Sequence, residues 1–163
     1  MSNSNNNTAA NTVTFLMGLP AAGKSTWVNA NLAATHNVID PDAVKESHPD
    51  YDPKNPAPLH AWSKEVTEAM WVEALAQQSG KHAIDGTGTN AESMVRKINQ
   101  ARRAGYSIEL VFVKVSLATS LERNAKRERN VPEHIIRSKA LDVQTAFEIV
   151  APYADSVIEV VNE

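Results

Sequence analysis

The residues of this chain best suited to chemistry are GLPAAGKST at 18–26. Gly18, Gly23, Lys24 and Ser25 have the spacing G-x-x-x-x-G-K-[ST] of a loop that wraps phosphate. The glycines let the backbone turn so that successive N–H groups, here across Ala21, Ala22 and Gly23, point at phosphate oxygens. The helix that follows adds the positive end of its dipole. Lys24 supplies a mobile charge for β- and γ-phosphates, Ser25 a hydroxyl suited to Mg²⁺, and Thr26 a second hydroxyl for the α-phosphate. The motif therefore predicts binding of ATP with Mg²⁺.

A second group is VIDPD at 38–42. Alone it reads as a strand stopped by an Asp-Pro turn. Beside a phosphate loop it reads further, because in an open parallel sheet sites form beyond the carboxyl ends of the strands. Mg²⁺ takes few carboxylates and keeps several waters, so Asp40 is assigned to the metal through water. Asp42, opening the segment DAVKES, is then free to orient and deprotonate a hydroxyl nucleophile. An aspartate of ordinary pKa, about 3.9, is ionised at neutral pH and needs no special tuning for this.

The third is LERNAKRERN at 121–130, carrying Arg123, Lys126, Arg127 and Arg129. Such a run is ordinarily a solvated helix face, and Glu122 and Glu128 suit it by offering ion pairs. Between a strand and the last helix it also suits a lid. There an arginine over the transferring phosphoryl is worth ~10³-fold or more. The histidines at 36, 48, 60, 82 and 134 show no metal-ligand spacing. His48 stands beside the loop expected to meet the acceptor and is carried as a substrate contact.

These groups need a scaffold, and the apolar pattern predicts one. Short β-favouring runs lie at 13–17, 38–40, 83–85, 108–115 and 157–161, each ending in a turn. Helical period links them. Over 59–78, Leu59, Trp62, Val66, Ala69 and Met70 share a face, and over 91–104 Met94, Val95, Ile98 and Ala101 do. Thr89–Glu92 has capping-box spacing, and Gly105 suits a left-handed stop. A last helix opens at Pro132, turns Ile136, Ala140, Val143, Phe147 and Val150 inward, and stops before Pro152. Strands alternating with helices predict an α/β fold with a mostly parallel five-stranded sheet covered on both faces. The proline-rich stretch 48–58 is a long stiffened loop.

Composition sets the bounds. The 163 residues, 42% apolar with 21% charged, suit one soluble domain, and a net charge of −3 argues against a surface built wholly for nucleic acid. Without cysteine there is no disulfide framework or thiolate metal site, which is compatible with the reducing cytoplasm. Residues 1–12, polar and lacking the features of a secretory signal, are expected to be a disordered tail, with the domain at 13–163. No apolar run approaches the roughly 20 residues that span a bilayer.

Over residues 13–160 the chain resembles the zeta-toxin-like P-loop kinases and, more distantly, the polynucleotide kinases. The likeness rests on GLPAAGKST, IDPDAVKESHPDYD at 39–52, IDGTG at 84–88 and the arginine-rich segment. It implies a central P-loop strand, Asp42 as the base, and acceptor binding by Asp85, Gly86 and Thr87. It also implies Arg123 and Arg129 as the phosphate-facing pair, with Arg127 the further candidate toward the nucleotide. The sequence departs from the family in Thr89, where an arginine often follows E-G-T-G, and in Asp85, which replaces glutamate. The implied activity is transfer of the γ-phosphoryl of ATP to a hydroxyl of a small-molecule acceptor, nucleotide-like or sugar-like. The alternatives are a polynucleotide 5′-hydroxyl kinase, with the lid arginines meeting nucleic acid, and a non-catalytic ATP-binding switch with an antitoxin-like protein partner.

Overall fold

The computed structural model describes residues 11–128 and 130–163. In chain order the elements are β1 (Thr12–Met17), α1 (Lys24–Asn31), β2 (Asn37–Ile39), α2 (Pro41–Glu46), α3 (His60–Gln77), β3 (Lys81–Ile84), α4 (Ala91–Arg103), β4 (Ser107–Lys114), α5 (Leu117–Ala125), α6 (Glu133–Val150) and β5 (Ser156–Val161). They form one α/β domain whose sheet has the order β2-β3-β1-β4-β5. Every pairing is parallel, so the expected sheet is borne out and is parallel throughout. The strand feeding the phosphate loop is central.

The period of two along β1 explains the layering. Val13, Phe15 and Met17 face Trp71 and Ala74 of α3, Ile98 and Ala101 of α4, and Val143 and Val150 of α6. On the opposite face Leu16 packs with Val111 and Val113 of β4 against Val28 of α1 and Leu32 beyond it. Trp27 packs at the edge of that second layer. Thr14, fully buried, satisfies its hydroxyl on Glu109 Oε1 at 3.1 Å.

Three local expectations are corrected. Thr12, assigned to the tail, opens β1; residues 1–10 lie outside the described residues. The buried face of α3 is Ser63, Thr67, Trp71 and Ala74, not the stripe through Trp62 and Val66, and Leu59 belongs to a preceding 3₁₀ turn. Burial of the small polar residues is inexpensive because the Thr67 hydroxyl donates to the Ser63 carbonyl at 2.9 Å and Ser63 to the His60 carbonyl at 3.1 Å. The cap of α4 is Asn90, which accepts from the Ser93 N–H at 3.0 Å, in place of Thr89; Asn ranks with the strongest N-caps. The last helix runs over Glu133–Val150 and stops before Pro152 as expected, with Pro132 at its N-cap, one place short of the first helical position that the sequence suggested for it. Among the described residues no helix is long and apolar enough to cross a membrane.

Candidate functional site

Where β1 leaves the core, Gly18 turns under the end of β4. A Cβ there would stand 2.6 Å from the Val113 carbonyl oxygen, so the close approach needs glycine. The Gly18 N–H donates to the Thr87 carbonyl at 2.9 Å, which joins the phosphate loop directly to the IDGTG loop. Ala21 and Gly23 both take positive φ, 62° and 93°, and the chain then enters α1. The opening N–H groups of that helix have no carbonyl of their own helix to bind. Lys24 folds back over the loop and donates to the Gly18 and Leu19 carbonyls at 3.0 and 3.2 Å. Burial lowers its pKa, and the charge of Asp85, then of Asp42, works against that fall.

VIDPD does two things at once. Asp40 is the N-cap of α2, its Oδ1 accepting from the Asp42 N–H at 2.9 Å with Pro41 at the first helical position. The strand-stopping reading was therefore right about Asp40 without exhausting it. Burial, then the neighbouring charge of Asp42, raises the Asp40 pKa. Asp42, on the first turn, lines the same cavity as the phosphate loop. At the end of β3 the Asp85 N–H donates to the Ile39 carbonyl at 2.9 Å, drawing the two acidic loops together. Asp85 is 6% exposed, and burial first, then Asp40, pushes its pKa up to about 6 against the pull of Lys24. Ser25, Asp40 and Asp85 line one small recess beside the main cavity.

The main cavity, about 1140 Å³, is walled by the phosphate loop, by Asp85, Gly86 and Thr87, by α2 and by α5 with the loop after it. Arg123 and Arg127 both reach it. Arg123 is held to one side by donating to the Glu163 carbonyl at 2.8 Å. Arg127, just past the end of α5, is the arginine whose charge is felt at Lys24. Arg129 lies outside the described residues. His48 is not brought to the cavity: its ring packs edge-on to Trp62 and its Nδ1 accepts from the Asp50 N–H at 3.0 Å.

Several residues that sequence reasoning passed over belong here. Lys45, buried to 6% exposure, stands 4.0 Å from Asp42 Oδ1 and donates to His60 Nδ1. Lysine has only donors, so the His60 ring is neutral with its proton on Nε2; burial and the Lys45 charge hold its pKa down. Lys54 and Pro56, from the proline-rich stretch, complete this wall. Ser120 donates to the Pro20 carbonyl at 2.7 Å, and Asn124 closes the loop after α5 by exchanging two bonds with the Val131 backbone, at 2.7 and 2.8 Å. The signal for Lys45 was its place three after Asp42, one helical turn on; Ser120 and Asn124 gave none.

Among the groups lining the recess, which include Asn29 and His36, Ser25, Asp40 and Asp85 offer one hydroxyl and two carboxylates, hard oxygen donors of the kind Mg²⁺ prefers. Among the described residues no cluster of three or more His, Cys, Asp or Glu could hold a metal by itself.

No curated protein sequence matches the chain. Among solved structures it is similar to one from the PezAT chromosomal toxin–antitoxin system of Streptococcus pneumoniae, with TM-score 0.68 and 16% identity, covering 97% of this chain and 74% of that one. It is similar to one in the AvrRxo1-ORF1:AvrRxo1-ORF2 complex, with TM-score 0.75 and 16% identity, covering 92% of this chain and 55% of that one. A third lies in the Pnkp1/Rnl/Hen1 RNA repair complex, with TM-score 0.62 and 17% identity, covering 89% of this chain and 48% of that one. The chain thus spans about half the length of the second and third. These likenesses support a P-loop kinase fold, and the expected resemblance stands. Residues 13–148 match the AAA domain family model AAA_33, and the chain belongs to that family.

Proposed function

We propose that the chain is a kinase that transfers the γ-phosphoryl of ATP to a hydroxyl of a nucleotide-like acceptor. The observation that carries this reading is one cavity shared by a phosphate loop, an exposed-edge carboxylate at Asp42 and the lid arginines. Pure nucleotide binding needs only the first.

In this reading the loop backbone and Lys24 hold the phosphates, and Arg127 faces the charge that develops on the transferring group. Asp42 accepts the acceptor's hydroxyl proton as its oxygen bonds to the γ-phosphorus; the bond from that phosphorus to the β–γ bridging oxygen breaks, and ADP leaves. Ser25 and Asp40, with Asp85 beside them, would hold Mg²⁺, which when bound neutralises phosphate charge. Gly86 and Thr87 offer backbone to the acceptor. The acceptor wall is cationic, with Lys45 and Lys54 beside His60. Such a wall favours an acceptor that carries phosphate over a neutral sugar.

The same wall keeps a polynucleotide 5′-hydroxyl in play as the second reading. An antitoxin-like protein partner is proposed only by analogy with the PezAT and AvrRxo1 assemblies. Incubation with γ-labelled ATP, Mg²⁺ and a panel of nucleosides, nucleotides, nucleotide-sugars and 5′-hydroxyl oligonucleotides tests the proposal. Label on a phosphate-bearing acceptor supports it, and ATP bound without transfer to any of them would leave a switch.

A further inference from the structure

We infer that Asn124 is a positioning residue for phosphoryl transfer: its side chain locks the turn that follows α5 and so fixes Arg127 beside the phosphate loop before any nucleotide arrives. This rests on the kinase reading proposed above and goes beyond it.

Asn124 lies in the last turn of α5 and is buried to 6% exposure. Its Oδ1 accepts from the Val131 N–H at 2.8 Å, and its Nδ2 donates to the Val131 carbonyl at 2.7 Å. One residue offering both a donor and an acceptor fixes the amide, since a flipped carboxamide would set donor against donor and acceptor against acceptor. Arg127 lies inside the closure, its N–H donating to the Asn124 carbonyl at 3.1 Å. Asn124 therefore grips the turn twice, with its backbone at the near end and its side chain at the far end. Burial alone would be served by an aliphatic side chain, which would leave the Val131 N–H and carbonyl without these partners.

The same helix is tied to the phosphate loop. Ser120, one helical turn before Asn124 and on the same face, is the residue that donates to the Pro20 carbonyl. Two buried polar side chains thus join the phosphate loop, α5 and the chain at Val131 into one unit. Arg127, Asn130 and Val131 line the main cavity together with Lys24, and the Arg127 charge is felt at Lys24. An arginine on a turn that is already fixed does not have to be ordered as charge develops on the transferring group, and that is the benefit of a preorganised site.

The test is single-turnover conversion of γ-labelled ATP with Mg²⁺ by the full chain, read as label on water or on any member of the acceptor panel, beside calorimetric titration with the β,γ-imido analogue of ATP. Asn124→Ala should slow conversion by about 10- to 100-fold while affinity for the analogue stays within about 2-fold of wild type. Arg127→Ala should slow it by at least as much. The double variant should then be no slower than Arg127→Ala, within about 2-fold, because Asn124 acts through that arginine. Should Asn124→Ala unfold, Asn124→Asp carries the same expectations, since it keeps the bond from the Val131 N–H and loses the one to the carbonyl. Additive losses in the double variant overturn the inference, and so does a wild-type rate in the folded Asn124 variant. A loss of analogue binding equal to the loss of rate makes Asn124 a brace for the fold and overturns it too. A wild-type chain that converts no ATP, whether or not it binds the analogue, overturns the kinase reading itself and the inference with it.

Discussion

The Ser120 hydroxyl donates to the Pro20 carbonyl at 2.7 Å, so the helix that carries Arg123 is fastened to the loop that would hold the phosphates. Ser120 is fully buried, and its removal leaves that carbonyl without this donor. Ser120→Ala should cost about 1–3 kcal/mol of stability in urea unfolding. It should also weaken nucleotide binding several-fold by loosening the loop. A variant with unchanged stability would show that water replaces the bond.

For Lys24→Ala, affinity for ATP and turnover are both expected to fall, because the loop loses the charge meant for the β- and γ-phosphates. Arg127→Ala should instead lower kcat with little change in ATP affinity, since its benefit is realised in the transition state. Steady-state kinetics on both variants separates the two patterns. Loss of ATP binding in Arg127→Ala with kcat intact would place this arginine on the ground-state nucleotide.

Asp42→Asn should preserve the fold and Mg-ATP binding while reducing single-turnover transfer by about 10²-fold or more. Asp40→Asn keeps a strong N-cap on α2, so it removes charge without removing the cap, and should show as a weaker Mg²⁺ dependence. Equal and mild defects from both would reduce this segment to its capping role.

Asp85 supplies a pH signature. Its folded pKa of about 6 lies above the ordinary carboxylate value because burial disfavours the charge. Between about pH 4 and 6 the folded chain binds more protons than the unfolded one, so stability falls as pH rises through that window. Above it the cost of the ionised group stays constant. In the absence of Mg²⁺ and nucleotide, Asp85→Asn should be more stable than wild type at pH 8, by up to about 3 kcal/mol, with the gap closing near pH 4. Thermal unfolding at the two pH values reads it directly, and a gap independent of pH would contradict the assignment.

On the wall proposed to meet the acceptor, Lys45→Met should raise KM for a phosphate-bearing acceptor about 10-fold or more while KM for ATP holds. Competition by inorganic phosphate at the acceptor should weaken in parallel. If Lys45 serves only to orient Asp42, kcat falls and the acceptor KM does not.

Much of this was legible in the sequence because the signals are local. The phosphate loop follows from spacing within nine residues, and β1, α4 and α6 from periodicity within one element. What escaped depends on contacts between distant segments. Lys45 gains its meaning from His60 on another helix, Asn124 from the Val131 backbone and Ser120 from a carbonyl one hundred positions away. The face of α3 was misread because serine and threonine score as polar, although hydroxyls that return to their own helix bury at little cost. His48 was drawn toward the site by sequence neighbourhood alone, and its ring went to Trp62 instead.

The central position of β1 has a consequence for synthesis. It is made before the segments it pairs with, since Thr12 aligns with Lys81 on one side and Ser107 on the other. A nascent chain that has already emitted GLPAAGKST therefore has no neighbouring strands to shape that loop, and β1 waits unpartnered while the ribosome adds the rest. Nucleotide capture should begin only after β4 has left the exit tunnel, so the proposed nucleotide would be a ligand of the finished sheet and not a template for building it.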